Sequence, residues 1–266
     1  MAMSSTVDKA LGLLVHFDES QTEIGLSDLA RLSGADKSAV LRMVNAMVGH
    51  GLLDQRADNK KYRLGSACIR WAQLREKATP TEQVLRPIVD QLANDSLETT
   101  HCSLLFGERL VISLVAESPQ INRVHMDLGL LLPLAATASG LAVLAYSDPR
   151  VADAATSSIL PAFTDETLTD PDQIRAEIQD TRQRGYSISK GYFEAQVHSV
   201  AAPIFGLDGS VVGTLAIASP AHRMNQQKEL SNGQLVQRAA AEATLSMGAV
   251  VPSKYRPIQP DAGMFS

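Results

Sequence analysis

The sequence predicts a two-domain α+β chain: a winged helix-turn-helix, a linker helix and a mixed α/β domain. Three observations predict it. Over residues 6–65 the apolar pattern runs helix, helix, glycine-containing turn, helix, hairpin. Beyond residue 80, strand-like alternation mixes with helical periods. The 266 residues also exceed one typical domain of roughly 100–200. The bounds read as 1–65 for the first domain, 66–80 for the linker, 81–250 for the second domain, and a disordered tail over 251–266 with three prolines.

The elements follow in order. Val7, Ala10, Leu11, Leu14, Val15 and Phe17 recur at helical spacing, with Thr6 as cap. A short helix over 26–33, with Ser27 as cap, ends at Gly34, which suits a left-handed C-cap. A second helix over 37–48 starts at the cap Asp36, and Val40, Met43, Val44 and Met47 form its apolar stripe. Residues 52–64 alternate as a hairpin around Ala57-Asp58-Asn59-Lys60. Helices follow over 66–79 and 81–97. Strands over 102–106 and 110–117 flank a turn at Gly107, and further helices cover 138–146 and 172–184. Strands over 197–205 and 210–219 meet at Leu207-Asp208-Gly209, a hairpin signal, before a last helix over 230–249.

Composition excludes several classes. Hydrophobic residues make up 45% and charged residues 20%, as in ordinary globular chains. Two cysteines, Cys68 and Cys102, exclude a disulfide scaffold and fit a reducing compartment. No basic region precedes the first apolar residues, which argues against a secretory signal. Residues 128–147 lack charge, but Gly129, Pro133, Thr137, Ser139 and Gly140 favour a buried loop and helix over a membrane span. A cytoplasmic protein with no membrane partner is expected. The net charge of −5 is unevenly spread. Residues 1–36 carry −4, residues 37–77 carry +6, and the rest carries −7. A basic block between acidic ones is a partner signal.

That block coincides with the helix-turn-helix. A recognition helix presents its N-terminal half to base edges in the major groove. Lys37, Ser38, Ala39, Arg42 and Asn45 stand there, with Arg42 suited to guanine, Asn45 to adenine or phosphate, and Lys37 and Ser38 to phosphates. Arg56, Lys60, Lys61 and Arg63 on the hairpin supply backbone-binding charge. The competing reading is a solvated face on a helical bundle. No catalytic set emerges. His101-Cys102 and His198-Ser199 are strand neighbours on opposite faces, so neither pair is a ready dyad. No metal-ligand spacing occurs, and no metal or cofactor is expected. The small-residue run Ala135-Ala136-Thr137-Ala138-Ser139-Gly140 enters a helix. It reads either as a place where a ligand approaches free N–H groups or as close helix-on-sheet packing.

These residues resemble the IclR-type bacterial transcriptional regulators over about 6–249. The first domain matches through Leu26-Ser27-Asp28-Leu29-Ala30, Gly34, the stretch from Lys37 to Arg42, His50-Gly51-Leu52-Leu53 and Tyr62-Arg63-Leu64-Gly65. The second matches through Gly129, Pro133 to Gly140, Gly185-Tyr186, Val200 to Phe205 and Asp208-Gly209. The resemblance implies a GAF-like effector-binding domain, dimers or dimers of dimers on palindromic double-stranded operators, and a small-molecule effector. The implied function is a ligand-responsive regulator, repressor or activator, of a catabolic operon. The alternatives are a ligand-sensing module that does not bind DNA, and an enzyme.

The resemblance places the effector among Met126, Gly129, Leu130, Leu131, Ala136, Thr137, Ala138, Ser139, Gly140, Tyr192, Phe193, Gln196, Val197, His198, Ser199 and Ser219. Several positions depart from the family. Relatives often carry an Asp and then an acidic pair, where this chain has Ser189, Gly191 and Tyr192. A Cys is replaced by Ser199, and two serines by Ala216 and Ala218. Basic residues are replaced by Leu130 and Leu141. The expectation is an effector larger, flatter or less polar than glyoxylate or pyruvate, carboxylic or aromatic. In the reading helix, Leu41 stands where relatives often have an aromatic residue or His.

Overall fold

The computed structural model describes residues 6–17, 21–78, 80–107, 109–157 and 160–255. The chain divides into two compact units, Met1–Pro80 and Thr81–Ser266.

In the first unit, α1 (Thr6–Gly12) leads into a single 3-10 turn at Leu14–His16, so the one expected helix is broken after Gly12. α2 (Leu26–Ser33) is capped by the backbone of Gly25 rather than by Ser27, whose hydroxyl instead accepts from Lys37 Nζ at 2.9 Å. Gly34 takes the left-handed conformation, φ 64°, that closes α2. α3 (Lys37–Gly49) starts at Asp36, which accepts from the N–H groups of Ser38 and Ala39. Leu29, Val40, Val44, Leu53 and Tyr62 bury the apolar stripe against a small core. β1 (Leu53–Gln55) and β2 (Tyr62–Leu64) form the wing, and Ile24 bonds to both sides of the Tyr62 peptide. α4 (Ser66–Ala78) follows.

The second unit holds α5 (Thr81–Ser96), β3 (Thr99–Phe106), β4 (Arg109–Ala116), β5 (Leu131–Leu132), α6 (Ala138–Tyr146), α7 (Pro149–Ala155) and α8 (Pro171–Arg184). β6 (Ser187–Lys190), β7 (Val197–Phe205), β8 (Val211–Pro220) and α9 (Gln226–Ser246) complete it. One antiparallel sheet runs β5-β4-β3-β8-β7-β6. Alternation along the strands splits the core. Val200, Ala202, Ile204, Leu215 and Ile217 pack against α5 and α9. Ala201 and Ala216 point the other way and meet Ala138 and Ala142 of α6.

The tail reading is corrected in part. Val251 packs on the core, and Tyr255 is 2% exposed, its ring edge-on to Tyr146 at 5.2 Å. An aromatic ring filling a gap at the core edge outweighs the turn chemistry around Pro252. Residues 256–266 lie outside the described residues. Among the described residues no helix is long and apolar enough to cross a membrane.

The cysteines differ sharply. Cys102 is fully buried in the sheet, and burial pushes its thiol up to about 12. Cys68, on α4, is only partly covered. A thiol reagent at pH 8 is therefore expected to label one cysteine per native chain and two after denaturation. Rapid native labelling of both would mean that β3 is not packed as described.

Candidate functional site

Two places gather the residues that the sequence singles out. The first is the outward face of α3 with the wing. Burial of Val40, Met43, Val44 and Met47 turns Lys37, Ser38, Leu41, Arg42 and Asn45 to solvent. Ala39 is half-buried against the core and faces a cleft beside α1. Two of the polar side chains are already engaged. Ser38 Oγ donates to Asp36 Oδ1 at 2.6 Å, and Lys37 holds Ser27. The Ser38 hydroxyl and the two N–H groups hold the Asp36 carboxyl below its usual range.

On the wing, Arg56 differs from its neighbours. It donates to both carboxylate oxygens of Asp58, at 2.9 and 2.8 Å, and lies 3.1 Å from Glu23. Its charge is met within the domain, and Asp58 is pulled down to about 2 by that contact. Lys60, Lys61 and Arg63 are exposed and form no ion pair among the described residues. Of the four wing cations, these three remain open to an external anion.

The second place is a cavity of about 370 Å³ on the α6 side of the sheet. Its apolar wall is Met126, Leu130, Leu132, Phe193 and Val197. Its inner, polar end is built where α6 begins. Thr137 caps α6 through its hydroxyl, which accepts from Gly140 N at 3.0 Å and donates to the Pro133 carbonyl at 2.9 Å. That leaves the N–H groups of Ala138 and Ser139 as first-turn donors without a helical acceptor. The rim carries Asp127, Glu194 and His125, the last lying 3.2 Å from Glu117 and 3.4 Å from Asp127. Among the described residues no Lys or Arg lines the cavity.

Strand register sets the floor. Ser189 lies opposite Ser199, and Ser199 opposite Ala218. Ser187, Ala201, Ala216 and His101 form the next row. His101 Nε2 lies 3.3 Å from Ser139 Oγ, while its Nδ1 has no partner among the described residues. Burial lowers the imidazole to about 4, so it is neutral at pH 7. Cys102 faces the other side of the sheet, as a neighbour in a strand must. The sequence reading nevertheless missed that the topology brings His101 to a serine 38 positions along the chain. With no carboxylate on Nδ1 and so weak a base, the pair is suited to holding a polar ligand atom rather than to activating a nucleophile.

Of the sixteen residues expected at the effector, Met126, Leu130, Thr137, Ala138, Ser139, Phe193, Val197 and Ser199 line this cavity. The others lie elsewhere. Gly129 makes the left-handed turn before β5, with its N–H on the Ile112 carbonyl, and Leu131 is half-exposed. Ala136 and Gly140 are buried in the packing around α6. Tyr192 packs into the adjoining core, and Gln196 takes a positive φ of 66° beside β7. His198 and Ser219 sit opposite each other in the β7–β8 ladder and do not line the cavity. Within the small-residue run, Thr137, Ala138 and Ser139 line the cavity, while Ala136 and Gly140 serve close packing. His101, His125, Asp127 and Leu132 were not anticipated; Ser189 stands where the resemblance implies an Asp, and Glu194 lies between the expected Phe193 and Gln196. A histidine within the buried polar run Thr99-Thr100-His101-Cys102-Ser103 was the available signal.

Comparison with known proteins follows the same division. The family model described as "IclR helix-turn-helix domain" matches residues 6–57, and "Bacterial transcriptional regulator IclR C-terminal" matches residues 77–245. A Silicibacter sp. TM1040 protein described as an ICLR transcriptional regulator superposes with a TM-score of 0.86 at 42% identity, over 95% of this chain and 99% of that one. The HTH-type transcriptional regulator XynR of Escherichia coli (strain K12) is 24% identical over 93% of this chain and 99% of its own. An IclR homolog from Microbacterium hydrocarbonoxydans, solved in complex with 4-hydroxybenzoate, superposes with a TM-score of 0.57 at 24% identity, over 92% and 99%. With the helix-turn-helix and the α/β domain matched in order along nearly its whole length, this chain belongs to the IclR family of bacterial transcriptional regulators.

Proposed function

We propose that this protein is a ligand-responsive regulator of a catabolic operon. Arg42 and Asn45 read bases, Lys60, Lys61 and Arg63 hold phosphates, and a small carboxylic or aromatic effector occupies the α6 cavity. The observation that carries the reading is the pairing, in one chain, of an exposed reading helix beside an open basic wing with a cavity that is apolar on one wall and polar at its end. The cavity volume of about 370 Å³ suits a substituted single ring. The first-turn donors of α6 suit an oxygen anion, and Met126, Leu130, Leu132 and Phe193 suit the ring. A relative's complex with 4-hydroxybenzoate supports this ligand class. Ala216 and Ala218 leave the floor less polar, which disfavours very small oxo acids. A dimer binding two half-sites about 34 Å apart couples the cavity to DNA, because small changes in the spacing of two reading helices cost affinity.

The test is fluorescence anisotropy on the DNA upstream of the gene itself. Six wing contacts per dimer predict a log–log salt slope of about −5. Arg42→Ala is expected to weaken selective binding about 10- to 100-fold while leaving that slope unchanged. Binding equal to that on random DNA, repeated with sequences selected from a random pool, would overturn the reading. The same assay screens benzoate-type acids against pyruvate, and a response to pyruvate alone would overturn the ligand class.

A further inference from the structure

The reading face of α3 has an apolar centre. Leu41 is 39% exposed, between Ser38, Arg42 and Asn45 on the solvent side of the helix. It belongs neither to the buried stripe nor to the cleft beside α1. Its neighbours toward the helix start are committed within the protein. Lys37 donates to Ser27 at 2.9 Å, and the Ser38 hydroxyl and N–H both donate to the Asp36 carboxylate. That carboxylate, held ionised at the helix start, also repels a phosphate placed there. Among the described residues, Leu41, Arg42 and Asn45 are left exposed on this face with no side-chain hydrogen bond in the protein.

Resting on the reading of α3 as a DNA-recognition helix, we propose that Leu41 reads a thymine through its 5-methyl group. Arg42 and Asn45 have hydrogen-bond donors to offer, and base edges answer them with acceptors. Leu41 offers only an apolar surface. In the major groove the one apolar feature that distinguishes a base is the thymine methyl. A leucine desolvated against any other base edge would cover a donor or acceptor without replacing its bond, which carries a penalty. Leu41 thus both selects thymine and rejects the other bases at one position of each half-site.

The experiment uses the full chain and an operator obtained by selection from random DNA. Each thymine of the half-site is replaced singly by deoxyuridine, which lacks only the methyl group. At one thymine per half-site the affinity is expected to fall about 4-fold, the effect of one buried methyl-sized group. Leu41→Ala is expected to abolish that deoxyuridine penalty without changing the salt slope, and Leu41→Met to keep it. Selective binding with no thymine sensitive to demethylation, or a penalty that persists in Leu41→Ala, overturns the role of Leu41 and leaves the regulator reading intact. No selective binding at all overturns both.

Discussion

Gly140→Ala is expected to cost the second unit about 3 kcal/mol or more, beyond the usual range of overpacking. A Cβ on Gly140 would lie 2.2 Å from the Leu134 carbonyl oxygen, 2.3 Å from its Cα and 2.5 Å from its carbonyl carbon. All three are backbone atoms, so no side-chain rotation relieves the overlap. The segment leading to α6 is also tied to it twice, through Thr137 to Pro133 and to Gly140 itself. Every residue of α6 is buried, so the helix cannot back away into solvent. Urea unfolding followed by circular dichroism reads the loss. The control is Gly12→Ala, where an added Cβ meets nothing within 4 Å. Its expected effect is a gain of up to about 1 kcal/mol, because Gly12 is helical and alanine is the better helix former. A Gly140→Ala protein as stable as the control would mean that Leu134 does not close on α6. Because Thr137, Ala138 and Ser139 line the cavity, the variant is also expected to lose effector response where it still folds.

The same helix shows what sequence makes legible. Its bounds follow from local chemistry: a threonine cap, the apolar run from Leu141 to Tyr146, and a serine where the helix stops. α3 is equally local, with Asp36 at one end and glycine at the other. The strands that escaped prediction lack such signals. β5 is two residues long, and β6 is four residues of mixed polarity made a strand only by pairing with β7. α7 does carry a local signal, Asp148 as cap with Pro149 behind it, but at seven residues it is too short to show a helical period. The cavity was half legible for a related reason. The α6 start and the odd-numbered residues of β7 follow from motif and alternation. Ser189 and His101 reach it only because strands far apart in the chain join one sheet, and one sequence carries no record of which strands pair; Asp127 comes from the segment before β5. Arg56 illustrates the opposite error. Its charge counted toward the basic block, yet Glu23, 33 positions earlier, comes within 3.1 Å of it.

His101 carries the second large expectation, a pH-dependent loss of stability. Its imidazole is pulled from the ordinary 6.5 to about 4 by burial beneath α6. The charged form has no carboxylate to meet it there, and Nε2 faces a serine hydroxyl. The sign follows from linkage. Below pH 6.5 the unfolded chain takes a proton that the folded chain refuses, so acid favours unfolding. The contribution is complete above pH 6.5, declines as pH falls, and is exhausted near pH 4. At about 1.4 kcal/mol per unit, the full span is worth about 3 kcal/mol. Carboxylates held low by arginines, such as Asp148, shed stability in acid as well, so the absolute curve does not isolate the histidine. The difference between wild type and His101→Gln does. Glutamine keeps a polar group near Ser139 and cannot titrate. The variant is expected to be less stable at pH 7.5, where the imidazole is neutral and well packed, and the gap is expected to close by about 3 kcal/mol on going to pH 4. Parallel curves would show that water reaches His101 and that the inner end of the cavity is not closed. A converging pair would establish a dry, uncharged polar end. There the N–H groups of Ala138 and Ser139 would meet an incoming oxygen without competition from solvent, in a cavity that no lysine or arginine among the described residues lines.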